Sequence, residues 1–347
     1  MPTDGAFLSL VAATETVLLD GQSGSTVLPG SVVTLAGPHG VASLVLRGDD
    51  VRQSAVDRLV RGHVVLDCLS ERFETAALPW LVVKGPAVSL RHYATPLWRS
   101  FSDVDVLVPP DRFGEALDEL TRVGGVPLVE SWRVLRELEL AQVSVAMPAG
   151  VTVDLHWHLI NNANSRTTFD LRTSTLLDRR ERLPGTGWWV LDRESEFIHL
   201  AWHAVKEGGR RLIWACDLAL IASQLDPAIV VKRSESFGMN LPVAVGVDWA
   251  SALLTRFVSL RHMASALPRS VWRDVLLRRY TYALKRGRLQ PGQRTALLRA
   301  TRRSTLTSAR ALALYAVPRR GLAARAPRDE SRWRSVYLEW VREIPGM

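Results

Sequence analysis

Two aspartates, Asp103 and Asp105, sit in the apolar run WRSFSDVDVLV, residues 98–108. In an extended strand alternate side chains share a face, so both carboxylates point one way while Val104 and Val106 point into a core. Like charges held that close repel and lose water, so the pattern needs compensation. A second amphipathic run, VTVDLHWHL at 151–159, puts Thr152, Asp154, His156 and His158 on one face and Val153, Leu155 and Trp157 on the other. If the two strands are neighbours in one sheet, three aspartates converge. Converging carboxylates suit hard divalent cations such as Mg²⁺ (or Mn²⁺), which take oxygen ligands. Two such ions about 3.5–4 Å apart can clamp the attacking and leaving oxygens of a phosphoryl or nucleotidyl transfer. They would also cancel the repulsion. The plainer alternative is a one-faced sheet whose aspartates see only water.

Other residues bear on the same chemistry. A Lys84-Gly85 turn lies upstream of the aspartates, and Arg99 lies four residues before Asp103. Arg99 suits either a phosphate or an aspartate. His156 shares the face of Asp154 and can orient an acceptor or hydrogen-bond beside a cation. His199 and His203 are four apart on an expected helix, but no third zinc ligand is near in sequence. The two cysteines, Cys68 and Cys216, form neither a disulfide framework nor a zinc pattern. No Ser/His/Asp triad, GK[ST] phosphate loop or dinucleotide fingerprint is present.

The elements that position these residues follow from periodicity and punctuation. Apolar residues at helical spacing predict a helix over 50–73. LPWLVV reads as a short strand, and Pro86 opens a helix through PAVSLRHY. SDVDVLVP is the next strand, and PPDRFGEALDELTRVGG a helix with proline and acid at its start and glycines at its stop. VPLVE is a short strand. Residues 135–147 and 151–159 read as a β-hairpin around the turn MPAG. Turns and short strands are expected in the charge-free stretch Gly21–Leu46, whose prolines and glycines argue against a membrane span. From Glu194 onward the pattern is mostly helical. Three regions are therefore expected: a mostly helical segment 1–77, a core 78–165, and a helical region 166–347.

Composition is that of a soluble globular chain, 47% hydrophobic and 23% charged, with no apparent secretory leader, so a cytoplasmic location and no membrane association are expected. Charge is uneven. Residues 251–347 hold 21 Lys+Arg against 5 Asp+Glu, whereas the first 250 hold 23 against 30. A basic tail can face a polyanion such as nucleic acid, though an Arg-rich solvated helix surface is the favoured explanation.

The block LVVKGPAVSLRHYATPLWRSFSDVDVLVPPDRFGEALDEL resembles the uncharacterised nucleotidyltransferase family of the polymerase-beta-like superfamily. The matching elements are Lys84-Gly85, Tyr93, Pro96, Arg99, Asp103, Asp105 and VDLHW with Asp154 and His156. A helical segment with His203 and Asp217 matches less closely. The resemblance implies an α+β fold: a small mixed sheet flanked by helices, with a largely helical C-terminal domain that selects the acceptor. It implies an enzyme that moves an NMP from an NTP to a hydroxyl acceptor and releases pyrophosphate. Asp103, Asp105 and Asp154 would be catalytic and would hold the metal. Lys84, Gly85, Arg99 and His156 would bind the nucleotide. Where the wider superfamily has Gly-Ser after the first strand, this chain has Lys84-Gly85. A catalytically idle nucleotide- or partner-binding protein and a tRNA-modifying enzyme are the alternatives. The acceptor and the NTP base stay open.

Overall fold

In a computed structural model of the chain, residues 4–21, 28–46, 48–271, 273–275, 277 and 329–344 are described. They fall into two compact units, each assembled from separate stretches of sequence. One comprises Met1–Val60, Gly85–Phe101 and Arg193–Thr301; the other comprises Arg61–Lys84, Ser102–Asp192 and Arg302–Met347. The units interleave along the chain, whereas the boundaries expected after residues 77 and 165 are single cuts. Most of the basic tail, residues 278–328, lies outside the described residues.

The first unit is helical. Its centre is Leu212–Ala222, apolar on every side and buried almost throughout, as a helix surrounded by other helices must be. Arg193–Lys206 and Asn240–Leu253 pack on it and on each other. They approach closely at Gly246, where a Cβ would stand 2.9 Å from the carbonyl oxygen of Ala201. The stretch Gly21–Leu46 departs from expectation. Instead of turns and short strands it forms the helices Gly30–Ala36 and Ala42–Val45. Pro29 is extended and sets the entry to the first of them, and Val32, Ala36, Leu44 and Val45 are buried. Both pack on the helix Asp4–Asp20. Burial there outweighs the weak helical preference of Gly, Ser and Val.

The second unit holds a seven-stranded mixed sheet of order β3-β4-β5-β2-β1-β7-β6. The strands are β1 Leu81–Val82, β2 Asp103–Leu107, β3 Val126–Pro127, β4 Gln142–Ala146, β5 Thr152–His156, β6 Glu181–Arg182 and β7 Trp189–Val190. β2 lies between antiparallel β1 and parallel β5, and β4 is antiparallel to β5. The α+β class is thus the observed one. The helix Phe113–Arg122 follows Pro109 and Pro110 and buries Phe113, Ala116, Leu117 and Leu120. That is the 3–4 spacing of one helical face.

Two local expectations are corrected here. The hairpin exists, but its first strand begins at Gln142 rather than 135, because Trp132–Glu137 is a helix. The Ser131 side chain caps it by accepting from the Val134 amide, and VLRELEL fits a helical period as well as an alternating one. The region after residue 166, expected to be helical, also supplies β6 and β7, which extend the sheet beyond β1. At two residues each they carry too little alternation to be read from sequence. The helix Glu330–Arg342 packs against Trp132–Glu137 and Phe113–Arg122. From it, the buried Tyr337 donates its hydroxyl to the Leu140 carbonyl at 2.8 Å and accepts from Trp157 Nε1 at 3.1 Å. Trp157 is fully buried, as its place on the apolar face of β5 requires.

Candidate active site

The parallel pairing of β2 with β5 sets Asp105 directly beside Asp154 and Asp103 beside Thr152. The pleat then turns Asp103, Asp105, Asp154 and His156 to one face. One ligand atom each from Asp105, Asp154 and His156 lie within 4.8 Å of one another. Among the described residues this is the group of three or more such side chains close enough to share a cation. Asp103 shares the face but not the group; its carboxylate accepts from the Ser102 hydroxyl at 3.3 Å.

Each member is held by a neighbour. Lys84, which leaves β1, places Nζ 3.1 Å from Asp105 Oδ1. His156 Nε2 lies 3.1 Å from the same oxygen. Ser144 stands opposite Asp154 in the β4–β5 ladder and donates its hydroxyl to Asp154 Oδ1 at 2.5 Å. Asp105 is only 3% exposed, and its Oδ2 is buried without a hydrogen-bond partner, as is Nδ1 of His156. A buried, ionised carboxylate oxygen left unpaired is costly, and a cation is one way to satisfy it.

The two aspartates of β2 are electrostatically unequal. Burial alone would push the Asp105 carboxyl upward. The Lys84 ammonium and the hydrogen bond from His156 outweigh it and hold the group well below the usual carboxylate range. Asp103 is shifted the other way: desolvation and repulsion from Asp105 raise it, and Lys84 offsets only part of this. Lys84 is itself desolvated, yet the attraction of Asp105, Asp103 and Asp154 wins and raises its pKa. The compensation that the paired carboxylates demand therefore comes partly from the protein. This role of Lys84 is additional to the phosphate contact expected of it.

His158 is turned away from cation chemistry. Its Nδ1 accepts from the Ile160 amide at 2.9 Å, and burial, followed by the nearby Arg166 charge, pushes its pKa down to about 3.

Arg99 and Gly85 belong to a separate cluster inside the helical unit. Arg99 is 6% exposed and donates Nε and Nη2 to the two oxygens of Asp217, each at 2.9 Å. Tyr93 donates its hydroxyl to Asp217 Oδ1 at 2.7 Å, and Arg99 Nη1 reaches the Gly85 carbonyl at 3.4 Å. Gly85 has φ 63° and ψ −114°, a conformation open to glycine alone. Asp217 is thus a partner of Arg99 and Tyr93. His203 meets Trp214 edge-on, with ring centroids 5.1 Å apart. His199 and His203 join no group of three ligating side chains among the described residues.

Sequence reasoning did not single out Ser144. Its signal was the alternation of Gln142, Ser144 and Ala146 across from Asp154, which becomes visible only once β4 is paired with β5 in register.

The model of the family described as uncharacterised nucleotidyltransferase matches residues 42–255, more than half of the chain. The chain belongs to that family, and the residues assembled above fall within the matched span. No curated protein matches the chain. Among the described residues, no single helix is long and apolar enough to cross a membrane.

Proposed function

We propose that this member of the uncharacterised nucleotidyltransferase family moves an NMP from an NTP to a hydroxyl acceptor, using the acidic face of β2 and β5. The observation that carries this reading is the buried, unpartnered Oδ2 of Asp105 beside Asp154 and His156. The donor set fits a divalent cation. Carboxylate oxygens suit Mg²⁺, and an imidazole nitrogen widens the choice toward Mn²⁺. When bound, such an ion supplies charge neutralisation for the triphosphate.

The side chains have separable tasks. Asp105 and Asp154 would hold the cation, and Asp103, at the half-buried end of the same face, would add a further oxygen. Lys84 keeps Asp105 ionised and offers an ammonium to the β- and γ-phosphates, next to the open backbone of Gly85. Arg99, locked on Asp217, acts as a positioning residue for the Gly85 carbonyl. The acceptor oxygen forms a bond to the α-phosphorus, the bridging α–β P–O bond breaks, and pyrophosphate leaves. The proton released by the acceptor goes to Asp154, which also accepts from the Ser144 hydroxyl. Placement and charge complementarity supply the rate enhancement.

The test is a thermal-shift series with ATP, CTP, GTP and UTP, each with Mg²⁺ or Mn²⁺, on wild type and Asp105→Asn, followed by a pyrophosphate-release assay. Metal-dependent stabilisation by an NTP that vanishes in the variant supports the reading; identical responses sink it. A second reading, nucleotide binding without turnover, is favoured by one fact. Lys84 and His156 both engage Asp105 Oδ1 from within the protein. NTP binding with no pyrophosphate released over a broad set of alcohols would select it.

A further inference from the structure

Along β4, on the side away from β2, the sheet unit carries a cleft of about 520 Å³. That size is typical of small-molecule sites, which run roughly 300–1,000 Å³. Leu128, Val134 and Leu135 give it an apolar wall, and Gln142, Ser144 and Asn161 give it neutral polar groups. Glu130 is the charged side chain among the described lining residues, and no Lys or Arg is among them. Ser144 belongs to both sites: it lines the cleft and donates to Asp154 at 2.5 Å. Gln142 is paired in register with His156. A molecule seated in the cleft is therefore at the margin of the acidic face.

We infer that this cleft receives the acceptor, and that the acceptor is an uncharged or amine-bearing alcohol with an apolar body. The inference rests on the transfer reaction proposed above. A carboxylate, phosphate or nucleic-acid acceptor would meet Glu130 and Asp154 and find no cation in the lining to pair with. An alcohol finds hydrogen-bonding side chains and an apolar wall. The wall is held from far along the chain. It is built on the helix Trp132–Glu137, where the Glu330 carboxylate accepts from the Trp132 amide at 2.8 Å and from the Ser131 hydroxyl at 3.2 Å. The C-terminal helix thus sets the shape of the cleft.

Fluorine NMR on the full chain, without nucleotide or metal, tests this with 4-fluorobenzyl alcohol, 4-fluorobenzylamine and 4-fluorobenzoate as probes. The alcohol and the amine are expected to bind, and the benzoate to bind about tenfold more weakly or not at all. Val134→Trp, which fills the cleft, is expected to weaken the alcohol by about tenfold, the scale of lost pocket contacts. Leu128→Trp serves as the companion variant, because Leu128 is 55% exposed and its replacement leaves the core intact. Both variants are expected to keep the NTP response. Equal binding of benzoate and alcohol, or alcohol binding unchanged in both variants, overturns the inference. Absence of any NTP response in wild type sinks the transferase reading instead, and the probe result is read independently of it.

Discussion

Asp105 in the sheet unit and Asp217 in the helical unit are both buried carboxylates facing a basic side chain, yet they differ in what is left over. Asp217 is saturated: Arg99 takes both oxygens in a fork, and Tyr93 takes a third bond. Asp105 has one oxygen shared by Lys84 and His156 and the other with no partner. A saturated ion pair fixes a shape; a half-satisfied one retains the capacity to bind. The partners differ in the same sense. The planar guanidinium matches a carboxylate edge, whereas an ammonium on a flexible stem can turn to another anion. The comparison separates the two sets of residues that carry the family resemblance. Tyr93, Arg99 and Asp217 build one structural cluster, while Lys84, Asp105, Asp154 and His156 build the one suited to chemistry.

The largest expected effect is on the saturated side. Asp217→Asn leaves the Arg99 charge buried without its counter-ion, and should cost about 3–5 kcal/mol in urea unfolding. Asp105→Asn should cost less, about 1–2 kcal/mol, because Lys84 keeps the attraction of Asp103 and Asp154. It should nevertheless abolish Mn²⁺-dependent stabilisation. Equal losses of stability in the two variants would break the comparison.

Next in size is Ser144→Ala. It frees Asp154 Oδ1, and Mn²⁺ affinity by titration calorimetry should fall by about tenfold, as for other outer partners of metal ligands. Urea stability should be nearly unchanged. Loss of stability without loss of metal affinity would assign Ser144 to the framework instead.

The smallest effect concerns Asp103. A carboxyl whose pKa is raised in the folded state contributes stability below that pKa and loses it as pH rises through it. Asp105, shifted down, does the reverse: its contribution is present at neutral pH and is lost as pH falls below the ordinary carboxylate range. In EDTA at pH 7, Asp103→Asn should therefore raise the melting temperature by roughly 1–3 °C. The gain should shrink at pH 4 and reverse when Mn²⁺ is present. A fall at pH 7 in EDTA would mean that Asp103 is stabilised by its surroundings like Asp217.

Period-two alternation in SDVDVLVP and VTVDLHWHL was enough to place the acidic residues on the strands that carry them and to assign their faces. Each run has a full apolar complement opposite its polar one, and a slip of one residue would bury the charges. The helix over Asp49–Thr75 and the proline-opened helices were legible for the same reason: many residues repeat one signal. The short elements were not. The helix Trp132–Glu137 packs on the helix Glu330–Arg342, far along the chain, and the two-residue strands are held by their ladder partners rather than by a pattern of their own.

The sequence by itself thus determined which side chains carry charge, how they alternate and which family they resemble, since these are local properties of neighbouring residues. Only the tertiary structure decided that β2 and β5 are parallel neighbours, that Lys84 lands on Asp105 and that Arg99 lands on Asp217. Partner choice between charges depends on distance and burial across the fold, and separation along the chain encodes neither.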